Sequence, residues 1–155
     1  MSGATEARLK ALGLILPAAP PPAGNYVAHV HAGNLLMIAG QLPRGADGRL
    51  VTGVLGAGLS IAEGQAAARL CALNLLAQAK AALGELDRIT QLLRINGYVA
   101  SAATFTDQPQ VLNGASDLMA EVLGARGLHT RMAVGAVSLP GGAAVHIDAT
   151  FAVSD

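Results

Sequence analysis

The chain has 155 residues, the size of one domain, and its ten basic and ten acidic side chains cancel to a formal charge of zero. With 52% hydrophobic residues, 13% charged ones and no basic cluster, it lacks the positive footprint that nucleic-acid phosphates require, and no apolar run approaches the roughly 18 residues of a membrane span. A lone cysteine, Cys71, excludes an intrachain disulfide or a thiolate metal cage, and inside a predicted helix it reads as a small buried hydrophobe.

Residues 1–24 read as an N-terminal arm and 25–155 as a single core. A short helix is predicted around Thr5–Leu12, and Leu16–Gly24, LPAAPPPAG, reads as an extended, proline-stiffened segment. Glu6, Arg8 and Lys10 precede an apolar run broken by Pro17. That is not a signal-peptide layout, so a cytoplasmic location is expected. Tyr26–His31 alternates and Leu35–Ala39 is continuously apolar, with Gly33-Asn34 between them at the spacing of a tight hairpin turn. His29 and His31 share a face of the first strand and could ligate a metal, yet His129 and His146 belong to distant elements. Two solvated histidines, and no metal or cofactor, are therefore expected.

The glycine-rich residues 44–58 read as loop. Ser60-Ile61-Ala62-Glu63 fits a capping box that opens a helix to about Leu83, with Gly84 as its stop. Ala66, Leu70, Leu73 and Ala77 are its expected apolar stripe, and Glu63, Arg69, Gln78 and Lys80 its solvated face. Leu92–Ala100 reads as a strand. Asp107 and Pro109 then open a second helix with the stripe Val111/Leu112, Ala115, Leu118/Met119 and Val122, ending at Gly124.

Two β-prone runs close the chain, Arg131–Val137 and Val145–Val153, flanking Leu139-Pro140-Gly141-Gly142, which reads as a hairpin loop. In the last run Val145, Ile147, Ala149, Phe151 and Val153 share one face, and His146, Asp148 and Thr150 the other. On a hairpin register His146 lies opposite Val137, six positions from Arg131, or about 20 Å along the strand. The two could then serve one small ligand only from different subunits. The excess of apolar residues also favours an oligomer.

Arg131 is the clearest candidate for chemistry. Its guanidinium is a planar fork of donors suited to a carboxylate. The structural alternative is an ion pair with Glu121 or Asp117.

Several segments together resemble the YjgF family of reactive-intermediate (enamine/imine) deaminases, the RidA-like proteins. They are Gly24-Asn25-Tyr26, Ala39-Gly40-Gln41-Leu42-Pro43, Asn113-Gly114-Ala115-Ser116-Asp117, and Arg131 followed by a small-residue strand, Leu139-Pro140 and Val145-His146-Ile147-Asp148. The Arg69–Asn74 run also resembles a helix in one subgroup of that family. The resemblance implies a chorismate-mutase-like α+β fold, ββαβαββ, with two helices on one face of a mixed sheet. It also implies a homotrimer with sites between subunits, needing neither cofactor nor metal. On this reading Arg131 binds the substrate carboxylate, Tyr26, Gly40, Asn113 and Ala133 line the pocket, and His146 is the catalytic position. The family commonly has Glu at that last position, Ser at Ala39, Ser at Met132 and, in some members, Cys at Ala133. A neutral imidazole can still accept a proton from water, but it carries no fixed negative charge.

The implied activity is hydrolysis of 2-enamino or 2-imino acids to 2-keto acids and ammonia. The first alternative is a non-catalytic trimeric module binding small carboxylates. The second is an endoribonuclease, a label often attached to the family, against which zero net charge and four aromatic residues argue. The expected partners are copies of the chain itself and a small carboxylate, with neither nucleic acid nor membrane.

Overall fold

The computed structural model describes residues 3–155. Its last strand, β7 (Val145–Val153), alternates strictly. Val145, Ile147, Ala149, Phe151 and Val153 are buried and the residues between them half-exposed, so one face lies on helices and the other is open. This strand is the middle of a five-stranded sheet in the order β1 (His29–Ala32), β2 (Leu35–Gln41), β7, β5 (Ile89–Ala100) and β6 (Thr130–Ala136). Neighbours run antiparallel except β5 and β6, which are parallel. Gly33, with φ of 59°, takes the first position of the two-residue β1–β2 turn, which a II′-type turn reserves for glycine. Two further strands of two residues each, β3 (Val54–Leu55) and β4 (Gly58–Leu59), lie in the stretch expected to be loop.

The final two strands do not form a hairpin. β6 pairs with β5, and β5 separates it from β7. Gly141 and Gly142 do adopt positive φ, as the turn residues suggested, but the connection steps over β5. The reason is long-range. A buried strand with alternating apolar residues gains a ladder on both sides by inserting between β2 and β5, and no local turn signal reports that.

Three helices pack against this mixed sheet: α1 (Ala4–Ala11), the short helix expected around Thr5–Leu12, and the two expected on the sheet, α2 (Ile61–Leu83) and α3 (Gln108–Leu123). The Ser60/Glu63 capping box is formed in both directions, worth about 1 kcal/mol of helix stability. The buried face of α2 is not the expected one. Ala67, Ala68, Cys71, Ala72, Leu75, Leu76 and Ala79 are buried; of the expected stripe Ala77 is buried, Leu70 and Leu73 are half-buried and Ala66 is exposed. In an alanine-rich helix apolar residues fall on every face, so the stripe is set by the sheet and by α3. Gln78, expected to be solvated, is buried. It donates to the Pro20 carbonyl at 2.6 Å, tying the proline-rich segment to α2. The α3 stripe is the expected one, from Val111 to Val122.

Burial pushes the Cys71 thiol far up from its ordinary range, so the thiol is inert. At Gly114 a Cβ would lie 2.1 Å from the Gln65 carbonyl oxygen, so α2 and α3 cross with their backbones in contact. The N-cap of α1, Gly3, has no side chain to cap with. Asp87 supplies the cap from a distant turn, accepting from the Ala4 and Thr5 amides and the Thr5 hydroxyl.

Candidate functional site

The six residues singled out from the sequence fall into two groups. The first surrounds His146. Opposite Ala149–Ile147 of β7, strand β2 carries one extra residue between Ile38 and Gln41, a bulge at Ala39-Gly40. A Cβ on Gly40 would lie 2.2 Å from His146 Nε2, so the missing side chain is what lets the imidazole lie against the bulge. On its other side His146 pairs across strands with Tyr98, which is 36% exposed. Neither ring nitrogen of His146 bonds to a described residue. Beyond Gly40 opens a cleft of about 120 Å³. Tyr26, Gln78, Arg44 and the segment Pro20–Ala23 line it, and Arg44 is its only charged residue. The Tyr26 hydroxyl accepts from the Ala23 amide.

The second group gathers under α3. Arg131 pairs with Ile95, a core residue of β5, and so points to the helix face. Its guanidinium donates to Ser116 Oγ and to the Pro109 carbonyl, both at 3.1 Å. The ion pair with Glu121 or Asp117 is not formed, and Glu121 meets Arg69 instead. Asn113 is half-buried one helical turn before Ser116 on the same face. Ala133, two residues along from Arg131, packs partly against the core beside Gly97.

His146 and Arg131 therefore occupy opposite faces of one sheet. Arg131 is in register with Ala149 through Ile95, which puts the two Cα atoms three residues and two strands apart, about 14 Å by ordinary sheet spacings. His146 thus lies opposite Tyr98 and not Val137, and the separation is about 14 Å and not the roughly 20 Å of a hairpin register. The separation is set by β5 standing between the strands and by side-chain direction.

Four residues of interest escape sequence reasoning: Arg44, Tyr98, Ser116 and His129. Ser116 Oγ lies 3.0 Å from His129 Nε2, and His129 Nδ1 lies 2.6 Å from the Gly127 carbonyl. The one available signal was spacing, Ser116 being three residues from Asn113 and His129 two from Arg131. Among the described residues no three of His, Cys, Asp and Glu converge as a metal site, and His29 and His31 line an exposed edge strand.

The open face of the sheet is apolar and uncovered. Val30, Met37, Tyr98, Met132 and Val134 are each more than a third exposed on it. One polar line crosses it, from Arg94 through Asn96 to Asp148.

The sequence model of the family described as "YjgF/chorismate_mutase-like, putative endoribonuclease" matches residues 6–149. The chain belongs to this family. Protein TCP17 of Trypanosoma cruzi is 51% identical over 149 residues, covering 96% of this chain and 93% of that protein. Among solved structures, Agrobacterium tumefaciens Atu1372, described as of unknown function, is 49% identical with a TM-score of 0.89, covering 97% of this chain and 93% of its own. A Shewanella oneidensis protein carrying the same endoribonuclease designation is 38% identical with a TM-score of 0.93, covering 97% and 100%. The fold is therefore that of the YjgF/RidA family. No helix among the described residues is long and apolar enough to cross a membrane.

Proposed function

We propose that this YjgF/RidA-family chain hydrolyses small 2-imino acids, and the 2-enamino acids in equilibrium with them, in a cleft completed between subunits of a homotrimer. The observation that carries this reading is the division of the site. A carboxylate grip at Arg131 and a proton acceptor at His146 lie on opposite faces of one sheet, and the open face carries an uncovered apolar surface suited to a second copy.

In the reaction Arg131 of one subunit holds the carboxylate bidentately. Water adds to the C=N carbon as His146 of a neighbouring subunit takes its proton. The resulting carbinolamine collapses as the C=O bond forms and the C–N bond breaks, and protonated nitrogen leaves as ammonia. Atoms balance with water alone: 2-iminopropionate plus water gives pyruvate plus ammonia. Most of the gain comes from fixing the electrophile beside water. A neutral imidazole in place of the family's Glu lacks a standing negative charge, so the cationic iminium is less stabilised and a slower reaction follows.

Replacement at Ala39, Met132, Ala133 and His146 favours a second reading, a trimeric module that binds a small carboxylate without turnover. The endoribonuclease designation finds little support in a chain with zero net charge and four aromatic residues. Micromolar RNA binding at low salt would revive it.

The test is ammonia release from freshly generated 2-aminoacrylate, wild type against Arg131→Ala. Turnover above the uncatalysed rate, lost in the variant, supports the deaminase. No turnover from a folded oligomer that still binds pyruvate through Arg131 supports the binding module.

A further inference from the structure

Arg131 is held by a directed chain of hydrogen bonds that runs through two residues outside the described pocket. The direction follows from the acceptors. A carbonyl can only accept, so His129 Nδ1, 2.6 Å from the Gly127 oxygen, carries the ring proton. In the neutral ring Nε2 is then a lone pair, and at 3.0 Å it accepts the Ser116 hydroxyl proton. With its one proton committed to His129, Ser116 presents lone pairs outward, and Arg131 donates into them at 3.1 Å. The order is Arg131 N–H to Ser116, Ser116 O–H to His129, and His129 N–H to Gly127. Each bond polarises the next.

The far end of the chain is fixed by backbone. A Cβ at Gly127 would lie 2.2 Å from the Met119 carbonyl oxygen, so the turn presenting the Gly127 carbonyl sits directly on α3. That is the helix that also carries Ser116, and the Pro109 carbonyl that takes the second Arg131 bond. Two of the five guanidinium N–H groups are used in this way, leaving three. Three are enough for a bidentate carboxylate.

We infer that Ser116 and His129 are positioning residues, which orient the Arg131 guanidinium for an incoming 2-imino carboxylate. This deepens the proposed function and rests on Arg131 being the carboxylate anchor. An arginine side chain has many rotamers to lose on binding, and a clamp that removes that freedom beforehand appears as affinity.

The experiment uses the full-length chain with pyruvate as a stable carboxylate probe, followed by calorimetry, together with turnover of 2-aminoacrylate and the Arg131 Nη–H resonance. Ser116→Ala and His129→Leu are each expected to weaken pyruvate binding and raise KM by about tenfold while kcat changes by less than about threefold. The double variant should lose no more than either single one, because both break the same chain. Ser116→Thr and His129→Gln, which keep a hydroxyl and an acceptor, should rescue binding. The Arg131 Nη–H signal, from the group that donates to Ser116, should be resolved in the wild type and averaged away in Ser116→Ala.

If Ser116→Ala and His129→Leu bind pyruvate as the wild type does while Arg131→Ala does not, the clamp is wrong and the carboxylate anchor stands. If Arg131→Ala also binds normally, the anchor fails and takes the assigned role with it. Equal losses in melting temperature across the four single variants at Ser116 and His129, with unchanged KM, would mark the chain as merely structural and overturn the inference.

Discussion

The two halves of the site are built to different degrees. On the helix face Arg131 is fixed before any ligand arrives, with Ser116 and Pro109 holding its guanidinium and His129 holding Ser116. On the open face His146 lies against a bare Gly40 and beside an exposed Tyr98, with no described residue bonded to its ring. On the proposed reading, the chain completes its carboxylate grip internally and its proton acceptor serves the site of a neighbouring subunit. The contrast is between a guanidinium ordered by its own chain and an imidazole that its own chain leaves free to meet a second copy.

Four changes would break or sharpen that contrast, taken from the largest expected effect to the smallest. Arg131→Ala removes the grip and should cost about 3 kcal/mol of carboxylate affinity, roughly a hundredfold in Kd by calorimetry, with oligomeric state unchanged. Gly114→Ala forces α3 off the Gln65 carbonyl. It should lower stability by about 1–3 kcal/mol in denaturant titration and loosen the Arg131 half first. On the other face, Gly40→Ala pushes the tip of the His146 ring, which can swing away. Stability should therefore hold within about 1 kcal/mol while turnover falls about tenfold, about 1.4 kcal/mol in the barrier.

The smallest effect concerns neither half. Hydrogen bonds from the Thr5 hydroxyl and amide hold the Asp87 carboxyl below the usual carboxylate range, with a further amide bond from Ala4. A depressed pKa contributes stability that is present above the unfolded value of about 3.9 and lost as pH falls through the folded one. Acid unfolding of the wild type should accordingly show a component below about pH 4 that Asp87→Asn lacks. At neutral pH the variant should be less stable by about 1 kcal/mol or less, since the carboxylate is exposed. Pyruvate affinity should not change.

What the sequence revealed, and what it hid, follows the same division between local and long-range physics. The capping box at Ser60, the Gly33-Asn34 turn and the amphipathic α3 were legible because each is settled by neighbours within a few residues. The insertion of β7 between β2 and β5 was not. The glycines after Pro140 turn in the same way whether the next strand pairs at once or crosses over another. The buried face of α2 was hidden because alanine offers no contrast between faces, and Gln78 is buried because the Pro20 carbonyl, 58 residues away, takes its amide. At the site, the family-like residues were found by their motifs. The pairing of Ser116 with His129 was not, because their spacing from Asn113 and Arg131 says nothing of the hydrogen bond that joins a helix to a loop.

The most direct measurement of the central claim mixes two inactive variants. Arg131→Ala lacks the grip and His146→Ala the proton acceptor. After denaturation and joint refolding at equal amounts, a site drawn from two subunits is intact wherever the arginine comes from one variant and the histidine from the other. That combination occurs at about a quarter of the sites. The account predicts recovery of about a quarter of wild-type ammonia release from the mixture and none from either variant alone. A mixture as inactive as its components, from chains that demonstrably exchange subunits, would contradict it.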